Sequence, residues 1–200
     1  MTDRNNNATL LAEGAISDEK KFGELLAMLE TGGRRARQHA ASAIYVIAKT
    51  EPKMLVDHID VLVDSLNRPE AQTRWELLET MTLLVDHDAR TCAKAIPEAE
   101  SSLFDEDSGP VRLGSMKFLC KLGATTANRS EKVWPLIDEA IQCYHGDLEF
   151  NDMLTALVNF SKGKLSDEVK VEFAERMHFD AMNGKGTLKK RAQAILENLE

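Results

Sequence analysis

Apolar residues recur at helical spacing in five stretches of about twelve residues, and the stretches follow one another at nearly constant intervals. They begin at Ala36, Thr73, Val111, Glu149 and Leu188, which gives intervals of 37, 38, 38 and 39 residues. When the stretches are aligned from these starts, repeat positions 1, 5, 8, 9 and 12 are mostly apolar and share one face of a helix. One amphipathic pattern that returns at such a period predicts stacked helical repeats.

A second amphipathic run precedes each stretch and completes a helical hairpin. Pro97 and Pro135 both lie 14 residues before the following stretch, where a proline begins or bends the first helix of the pair. Ser17, Ser130 and Ser166 each precede an acidic residue and are predicted to cap helix N-termini. The predicted hairpins are about 17–50, 51–87, 88–124, 129–163 and 166–199.

The pattern also predicts the fold class and the domain organisation. No stretch alternates apolar and polar residues at the period of two that a half-buried strand shows, so the fold is predicted to be all-α. Residues 1–16 are predicted to form a disordered or short capping segment, and residues 17–200 a single repeat domain. Repeat position 6 reads Ala41, Leu78, Met116, Leu154 and Gln193. The change to a polar residue is typical of a terminal repeat with a solvated outer face.

The segment 96–123, IPEAESSLFDEDSGPVRLGSMKFLCKLG, combines a proline in its first helix, an acidic turn and a Val-Arg pair that opens the second helix. This combination resembles the HEAT-repeat family. Repeat position 2, where that family has arginine, reads Arg37, Arg74, Arg112, Phe150 and Lys189. Glu149 departs from the pattern because it stands where an apolar residue is expected. The resemblance implies a right-handed α-solenoid (superhelix) of about five HEAT-like hairpins, whose second helices line a concave groove.

Charge and cysteine content narrow the class of partner. The net charge is −8, and residues 51–100 carry five basic and 11 acidic side chains. Because nucleic-acid affinity depends largely on cations that displace counterions from phosphates, this balance counts against DNA or RNA as the partner. No apolar run reaches the roughly 20 residues that span a bilayer, so no membrane association is expected. Three cysteines without a CxxC motif favour a reducing, cytoplasmic location over disulfides or structural zinc.

The sequence contains none of the common catalytic motifs. Histidine lies beside aspartate in the segments 57–58 and 86–88, but neighbouring residues on a helix point in different directions, so we interpret these histidines as surface residues. Cys120 is predicted to lie on the groove face, where it could be reactive, but no base lies beside it and inert packing is the better interpretation of a lone cysteine on an apolar-rich helix. The segment 183–191 contains Gly-Lys-Gly-Thr but lacks the spacing of a phosphate-binding loop. We therefore predict no catalytic residue, no cofactor and no metal site.

Repeat positions 3, 7 and 10 of the second helices are predicted to face the groove. They place an apolar patch of Tyr45, Trp75 and Leu113 beside the charged residues Glu79 and Lys117. Large aromatic side chains bordered by charge are typical anchors of protein interfaces. Packing against a neighbouring helix is an equally good interpretation of Trp75 and a slightly better one of Tyr45.

Two classes of function are compatible with these features. The first is a non-catalytic scaffold or adaptor that binds a protein or peptide through the concave groove. The second is an enzyme similar to HEAT-like alkylpurine DNA glycosylases, in which Arg74, Trp75, Glu79 and Lys117 would surround damaged DNA. The spacing of these residues is not a recognisable signature, and the acidic middle of the chain would repel a DNA backbone, so the scaffold is favoured. Lyases of the phycobilisome type also use HEAT-like repeats, but no residue here favours that class, and nothing indicates an oligomeric state.

Overall fold

The computed structural model describes residues 2–200, with side chains from Asn6 onward. Within this range the chain forms helices joined by turns, and no strand. The prediction of an all-α fold is therefore confirmed. The chain divides into two compact units, Met1–Ser102 and Leu103–Glu200. None of the helices within the described range is both long enough and apolar enough to cross a bilayer.

The first unit is built on two neighbouring helices that pack side by side. Its helices are α1 (Thr2–Ser17), α2 (Glu19–Thr31), α3 (Arg34–Thr50), α4 (Ile59–Ser65), α5 (Ala71–Cys92) and α6 (Ile96–Leu103), with 3₁₀ turns at Pro52–His58 and Ala93–Ala95. Helix α3 packs against α1, α2 and α5, and α4 packs against α5. The two predicted second helices of this unit, α3 and α5, therefore pack against each other and against the first helices of their own hairpins, α2 and α4.

Helix α1 occupies most of residues 1–16, the segment predicted as disordered or a short cap. Three small residues of α1, Ala8, Ala12 and Ala15, are buried at helical spacing. Small side chains on one stripe let α1 approach α2 and α3 closely. Met1 lies outside the described residues.

The second unit has the same plan. Its helices are α7 (Gly109–Gly123), α8 (Ala127–Tyr144), α9 (Phe150–Phe160), α10 (Asp167–Asn183) and α11 (Gly186–Leu199). Helix α7 packs against α8 and α9, α9 packs against α11, and α10 packs against α8 and α11. The core of the unit contains Trp134 stacked on Phe160 and tilted against Phe173, with ring centroids 6.4 and 5.0 Å apart.

The five aligned stretches lie in α3, α5, α7, α9 and α11, and each of these helices begins within two residues of the predicted start. Repeat position 5 is fully buried in every one of them, at Ala40, Leu77, Ser115, Met153 and Ala192. Repeat position 8 is buried likewise, at Ala43, Thr80, Phe118, Ala156 and Ile195. The apolar periodicity thus identified the face of each helix that enters the core.

Only one of the three predicted serine caps is correct. Ser166 caps α10 by accepting a hydrogen bond from a backbone N–H in the first turn. At the other two sites the caps are Asp18, which precedes α2, and Thr126, which precedes α8. Ser17 instead ends α1, and Ser130 lies within the first turn of α8. Several residues with a side-chain oxygen compete at each of these helix starts, and the one whose oxygen reaches the exposed N–H groups becomes the cap.

Helix α5 is interrupted at Asp88, whose backbone angles of φ −149° and ψ 77° are not helical. The Asp88 carboxylate accepts hydrogen bonds from the hydroxyl and backbone N–H of Thr91 and from the backbone N–H of Arg90. The bonds from Thr91 are the main reason why the pKa of Asp88 lies below its ordinary value. Asp88 therefore caps the short helical segment after the break, at the predicted junction between the second and third hairpins.

Candidate functional site

The predicted aromatic residues of the first unit lie on the faces of α3 and α5 that the core leaves partly exposed. Tyr45, at repeat position 10 of α3, and Trp75, at position 3 of α5, are both half-buried, as is Glu79 at position 7 of α5. The ammonium group of Lys49 lies 3.7 Å from the centroid of the Tyr45 ring, within the range of a cation–π contact. This face thus combines aromatic surface with one positive and one negative side chain.

The two predicted residues of the second unit lie on α7. Leu113 and Lys117, at repeat positions 3 and 7, are half-buried. Positions 3, 7 and 10 are not uniformly exposed, however, because Ser42 at position 7 and Cys120 at position 10 are buried. The placement of Cys120 on an open face is therefore wrong, and the combined patch of Tyr45, Trp75, Glu79, Leu113 and Lys117 stays a prediction.

A buried carboxylate lies between α3 and α5. Glu76 of α5 is only 7% exposed, and its carboxylate oxygens lie 2.8 and 2.9 Å from the hydroxyl of Ser42 on α3. The side-chain amide of Gln72 approaches the same carboxylate at 3.4 Å and the Ser42 hydroxyl at 3.2 Å. This polar cluster joins α3 to α5, and it was not predicted. The sequence gives little indication of such a cluster, because a single glutamate on an amphipathic helix is usually solvated.

The arginine at repeat position 2 of α3 has a structural function. The Nη1 atom of Arg37 donates to the backbone carbonyl of Gly32 at 2.7 Å, in the turn of its own hairpin. Its Nε atom donates to Glu70 Oε2 at 3.2 Å, and Nη2 also bonds this carboxylate, which precedes α5. These hydrogen bonds from Arg37 lower the pKa of Glu70 below its ordinary value, although the burial of Glu70, which is 6% exposed, acts in the opposite direction. Arg37 thus ties its own turn to the next second helix.

The same contact recurs in the second unit. Arg112, at repeat position 2 of α7, donates from Nη1 to the backbone carbonyl of Asp105 at 2.7 Å and from Nε to Glu149 Oε1 at 2.8 Å. Glu149 immediately precedes α9, as Glu70 precedes α5. The residue that departs from the apolar pattern of the repeat is therefore the acceptor for the arginine of the preceding repeat.

The histidines take part in packing and local pairing. His145 Nε2 lies 3.0 Å from the carboxylate of Asp180 on α10, and Asp180 is only 6% exposed. The ring of His58 packs edge-on against Phe22 at a centroid distance of 5.2 Å. Among residues 2–200 no group of three or more histidine, cysteine, aspartate or glutamate side chains is arranged to hold a metal ion.

An exposed apolar surface on α10 was not predicted. Val171, Phe179 and Met182 are 58%, 71% and 61% exposed, although they belong to a helix whose opposite face enters the core. The signal was present in the sequence as large apolar residues away from the buried stripe of Val169, Phe173 and Met177. These residues lie on a first helix, outside the repeat positions of the second helices.

The chain is similar to solved structures of helical-repeat proteins. No protein-family model matches it, and no curated protein matches it. A designed armadillo repeat protein in complex with the peptide (KR)4 has a TM-score of 0.78 and 15% identity, and the match covers 98% of this chain and 91% of that one. Computationally designed armadillo repeat proteins for modular peptide recognition have a TM-score of 0.77 and 14% identity, over 100% of this chain and 92% of that one. An engineered protein from a structural genomics consortium has a TM-score of 0.77 and 17% identity, over 96% and 88%.

These likenesses show the fold. The chain has the helical-repeat solenoid fold of designed armadillo proteins, which confirms the predicted fold class. Identities of 14–17% do not distinguish armadillo from HEAT repeats, so the HEAT assignment stays a prediction.

Proposed function

We propose that this chain is a non-catalytic scaffold of HEAT-like repeats that binds a protein or peptide through a concave groove lined by its second helices. The observation that carries the proposal is the half-buried pair Tyr45 and Trp75 on the neighbouring helices α3 and α5. The opposite face of the same helices is fully buried, so these rings are large apolar surfaces that the core has not taken up. Aromatic side chains in this setting are the usual energetic anchors of protein recognition.

Charged side chains beside the rings supply orientation. Lys49 covers the ring of Tyr45, and Glu79 stands one helical turn from Trp75 on α5. Helix α7 of the second unit has Leu113 and Lys117 at the corresponding repeat positions. A partner segment with apolar residues and both charges would be complementary to this set.

The comparisons support a peptide as the partner. Two of the similar structures are designed armadillo repeat proteins, one in complex with a (KR)4 peptide and one described as made for modular peptide recognition. The cysteines support a cytoplasmic location, because Cys92, Cys120 and Cys143 are all free thiols.

The test is a peptide selection followed by affinity measurements. Peptides selected from a random library on the wild-type chain are labelled, and their dissociation constants are measured by fluorescence anisotropy. The double variant Tyr45→Ala, Trp75→Ala is expected to weaken binding at least about tenfold, because each ring is an anchor. The matched control is Leu10→Ala, Ile16→Ala, which removes two exposed apolar side chains from α1. Circular dichroism melting curves establish that both variants fold.

Equal affinity of the wild type and the Tyr45→Ala, Trp75→Ala variant for the selected peptides would show that this face is not the binding surface. Labelled duplex DNA is measured in parallel. DNA binding that exceeds peptide binding and falls steeply with added salt would favour the glycosylase-like alternative instead.

A further inference from the structure

A groove in the second unit follows the line where α10 packs against α11 and opens to solvent. It has a volume of about 500 Å³ and is lined by Ala174, Glu175, His178, Leu196, Leu199 and Glu200. The apolar side chains form its floor, and the ionised side chains along it are two carboxylates. The groove involves none of the residues of the proposed second-helix surface.

The floor is made from positions that form core elsewhere in the chain. Leu196 and Leu199 are repeat positions 9 and 12 of α11, and both are half-buried. The corresponding residues of α9, Leu157 and Phe160, are fully buried, and Phe160 packs against Trp134 of α8 and Phe173 of α10. The side of α11 that faces the groove thus has the chemistry of a helix-packing surface. A cleft between two adjacent helices also has the shape that accepts the side-chain ridge of a third helix.

The apolar surface continues along α10 beyond the groove. Val171 and Met182 are 58% and 61% exposed. Residues 171, 174, 178 and 182 are spaced by three or four, so they share one face of α10 with the groove-lining Ala174 and His178. The exposed apolar surface therefore extends about three helical turns, enough for a helix rather than a single side chain.

Charge selects the kind of helix that fits. Glu175 and Glu200 line the groove, and the first turn of α10 adds Asp167 and Glu168. Two cations of α10 are paired with carboxylates: Arg176 bonds Asp138 of α8 at 2.5 and 3.0 Å, and Lys170 lies 3.9 Å from Asp167. Among the residues that the structure describes, the groove lining itself contains two glutamates and no lysine or arginine.

We propose that the α10–α11 groove binds a basic amphipathic helix. The apolar face of that helix packs on Ala174, Leu196 and Leu199, and its lysine or arginine side chains pair with Glu175 and Glu200. This is helix-in-groove recognition, in which apolar anchors at helical spacing give affinity and the flanking charges give orientation.

The test uses a fluorescein-labelled peptide of leucine and lysine, with leucines at i, i+3, i+4 and i+7 and lysines elsewhere. Its affinity for the full chain is measured by fluorescence anisotropy. A peptide with glutamate in place of each lysine keeps the apolar face and reverses the charge. The wild-type chain is expected to bind the lysine peptide at least about tenfold more tightly than the glutamate peptide, with a preference that shrinks as salt rises.

Two pairs of charge reversals separate the groove from the general acidity of the chain. Glu175→Lys, Glu200→Lys is expected to weaken binding of the lysine peptide about tenfold. Glu131→Lys, Glu139→Lys, on exposed positions of α8, changes the net charge equally and is expected to leave the affinity unchanged. Met182 is 61% exposed, so Met182→Ser is expected to leave the fold intact. It is expected to weaken binding of the lysine peptide through loss of apolar contact.

Three results would overturn the proposal. The first is equal loss of affinity in both pairs of charge reversals, and the second is equal affinity for the two peptides. The third is a dimer, seen by analytical ultracentrifugation, that Met182→Ser abolishes, because the groove would then belong to a second copy of the chain. The variant Tyr45→Ala, Trp75→Ala is expected to bind the lysine peptide like the wild type, so failure here is distinguishable from failure of the proposed peptide-binding face.

Discussion

The carboxylate of Glu149 occupies the space that a side chain at residue 109 would need. A Cβ atom on Gly109 would lie 2.9 Å from Glu149 Oε2, closer than real Cβ contacts allow. Gly109 opens α7, and Arg112 follows in the same first turn to hold that carboxylate. The Gly-Pro-Val-Arg start of α7 therefore combines a glycine that leaves room for the acceptor with an arginine that binds it.

This relationship predicts that the effect of Gly109→Ala on the free energy of unfolding depends on whether Glu149 is present. Gly109→Ala is expected to lower the free energy of unfolding by about 1 kcal/mol, because the new methyl group displaces Glu149 from Arg112. In a Glu149→Ala background the same substitution has nothing to displace, and we expect it to be neutral or slightly stabilising. Urea unfolding of the four proteins in this cycle measures the coupling. Equal effects in the two backgrounds would contradict the assignment.

The Arg112–Glu149 pair is expected to matter more than an exposed ion pair. Arg112→Ala should lower the free energy of unfolding by about 2 kcal/mol, since it removes charged hydrogen bonds to Glu149 and to the part-buried backbone carbonyl of Asp105. The control is Lys94→Ala, which breaks the pair with Asp60, whose side chains are 57% and 66% exposed. That loss should stay below about 1 kcal/mol. Comparable losses in urea unfolding would show that Arg112 does not join the repeats.

Stability should fall in acid, partly through Glu70. Arg37 lowers the pKa of Glu70 in the folded chain below its ordinary value of 4.5. The unfolded chain therefore binds a proton at higher pH than the folded chain, so the stabilisation is present above pH 4.5 and is lost as the pH falls through the folded pKa. Urea unfolding across this range should show a shallower acid decline for Glu70→Gln than for the wild type. A variant with an unchanged acid slope would contradict the role of Glu70.

Two helical glycines should respond to alanine with opposite signs. A Cβ atom on Gly123 would lie 2.4 Å from Val133 Cγ2 and 2.8 Å from Phe160 Cε2, so Gly123→Ala should destabilise the chain by about 1–3 kcal/mol. Around Gly23, in the interior of α2, a Cβ atom would meet nothing within 4 Å. Gly23→Ala should therefore stabilise by about 0.5–1 kcal/mol. Thermal and urea unfolding of the two variants decide both signs.

One of the three cysteines should react in the folded protein. Cys92 and Cys120 are buried, and burial raises the pKa of the Cys120 thiol far above its ordinary value, whereas Cys143 is exposed. A thiol reagent such as Ellman's reagent should modify one group quickly in the wild type and none in Cys143→Ser. Rapid modification of a second thiol without denaturant would show that the helices around Cys120 open readily.

Much of the fold could be predicted because a helix repeats its environment every 3.6 residues. Repeat positions 5 and 8 are buried in all five second helices, although the residues at these positions range from Ala40 to Phe118. Exact helix starts were less predictable. At Ser17 and Ser130 the cap is a nearby residue, because capping depends on which side-chain oxygen reaches the free N–H groups, and that is a matter of ångströms rather than of sequence pattern.

The candidate surfaces were harder to predict for a physical reason. Periodicity shows which face of a helix enters the core but not what covers the other face, so Cys120 was placed on an open face that the structure closes. Glu149 resembled a defect in the repeat because its partner, Arg112, lies 37 residues earlier. Pairings over such distances carry no local signal, and the α10–α11 groove likewise depends on residues from two separate helices.

The two arginine–glutamate contacts have a consequence for how this chain can change length. Arg37 binds the residue just before α5, and Arg112 binds the residue just before α9, so each compact unit contains one such match. The residue just before α7 is Ser108, which has no charge to offer an arginine. Excision of a single hairpin would leave Arg37 facing that serine, whereas excision of two would bring it to Glu149 and restore the match. Natural or engineered recombination should therefore keep the arginine–glutamate contact when it adds or removes hairpins two at a time.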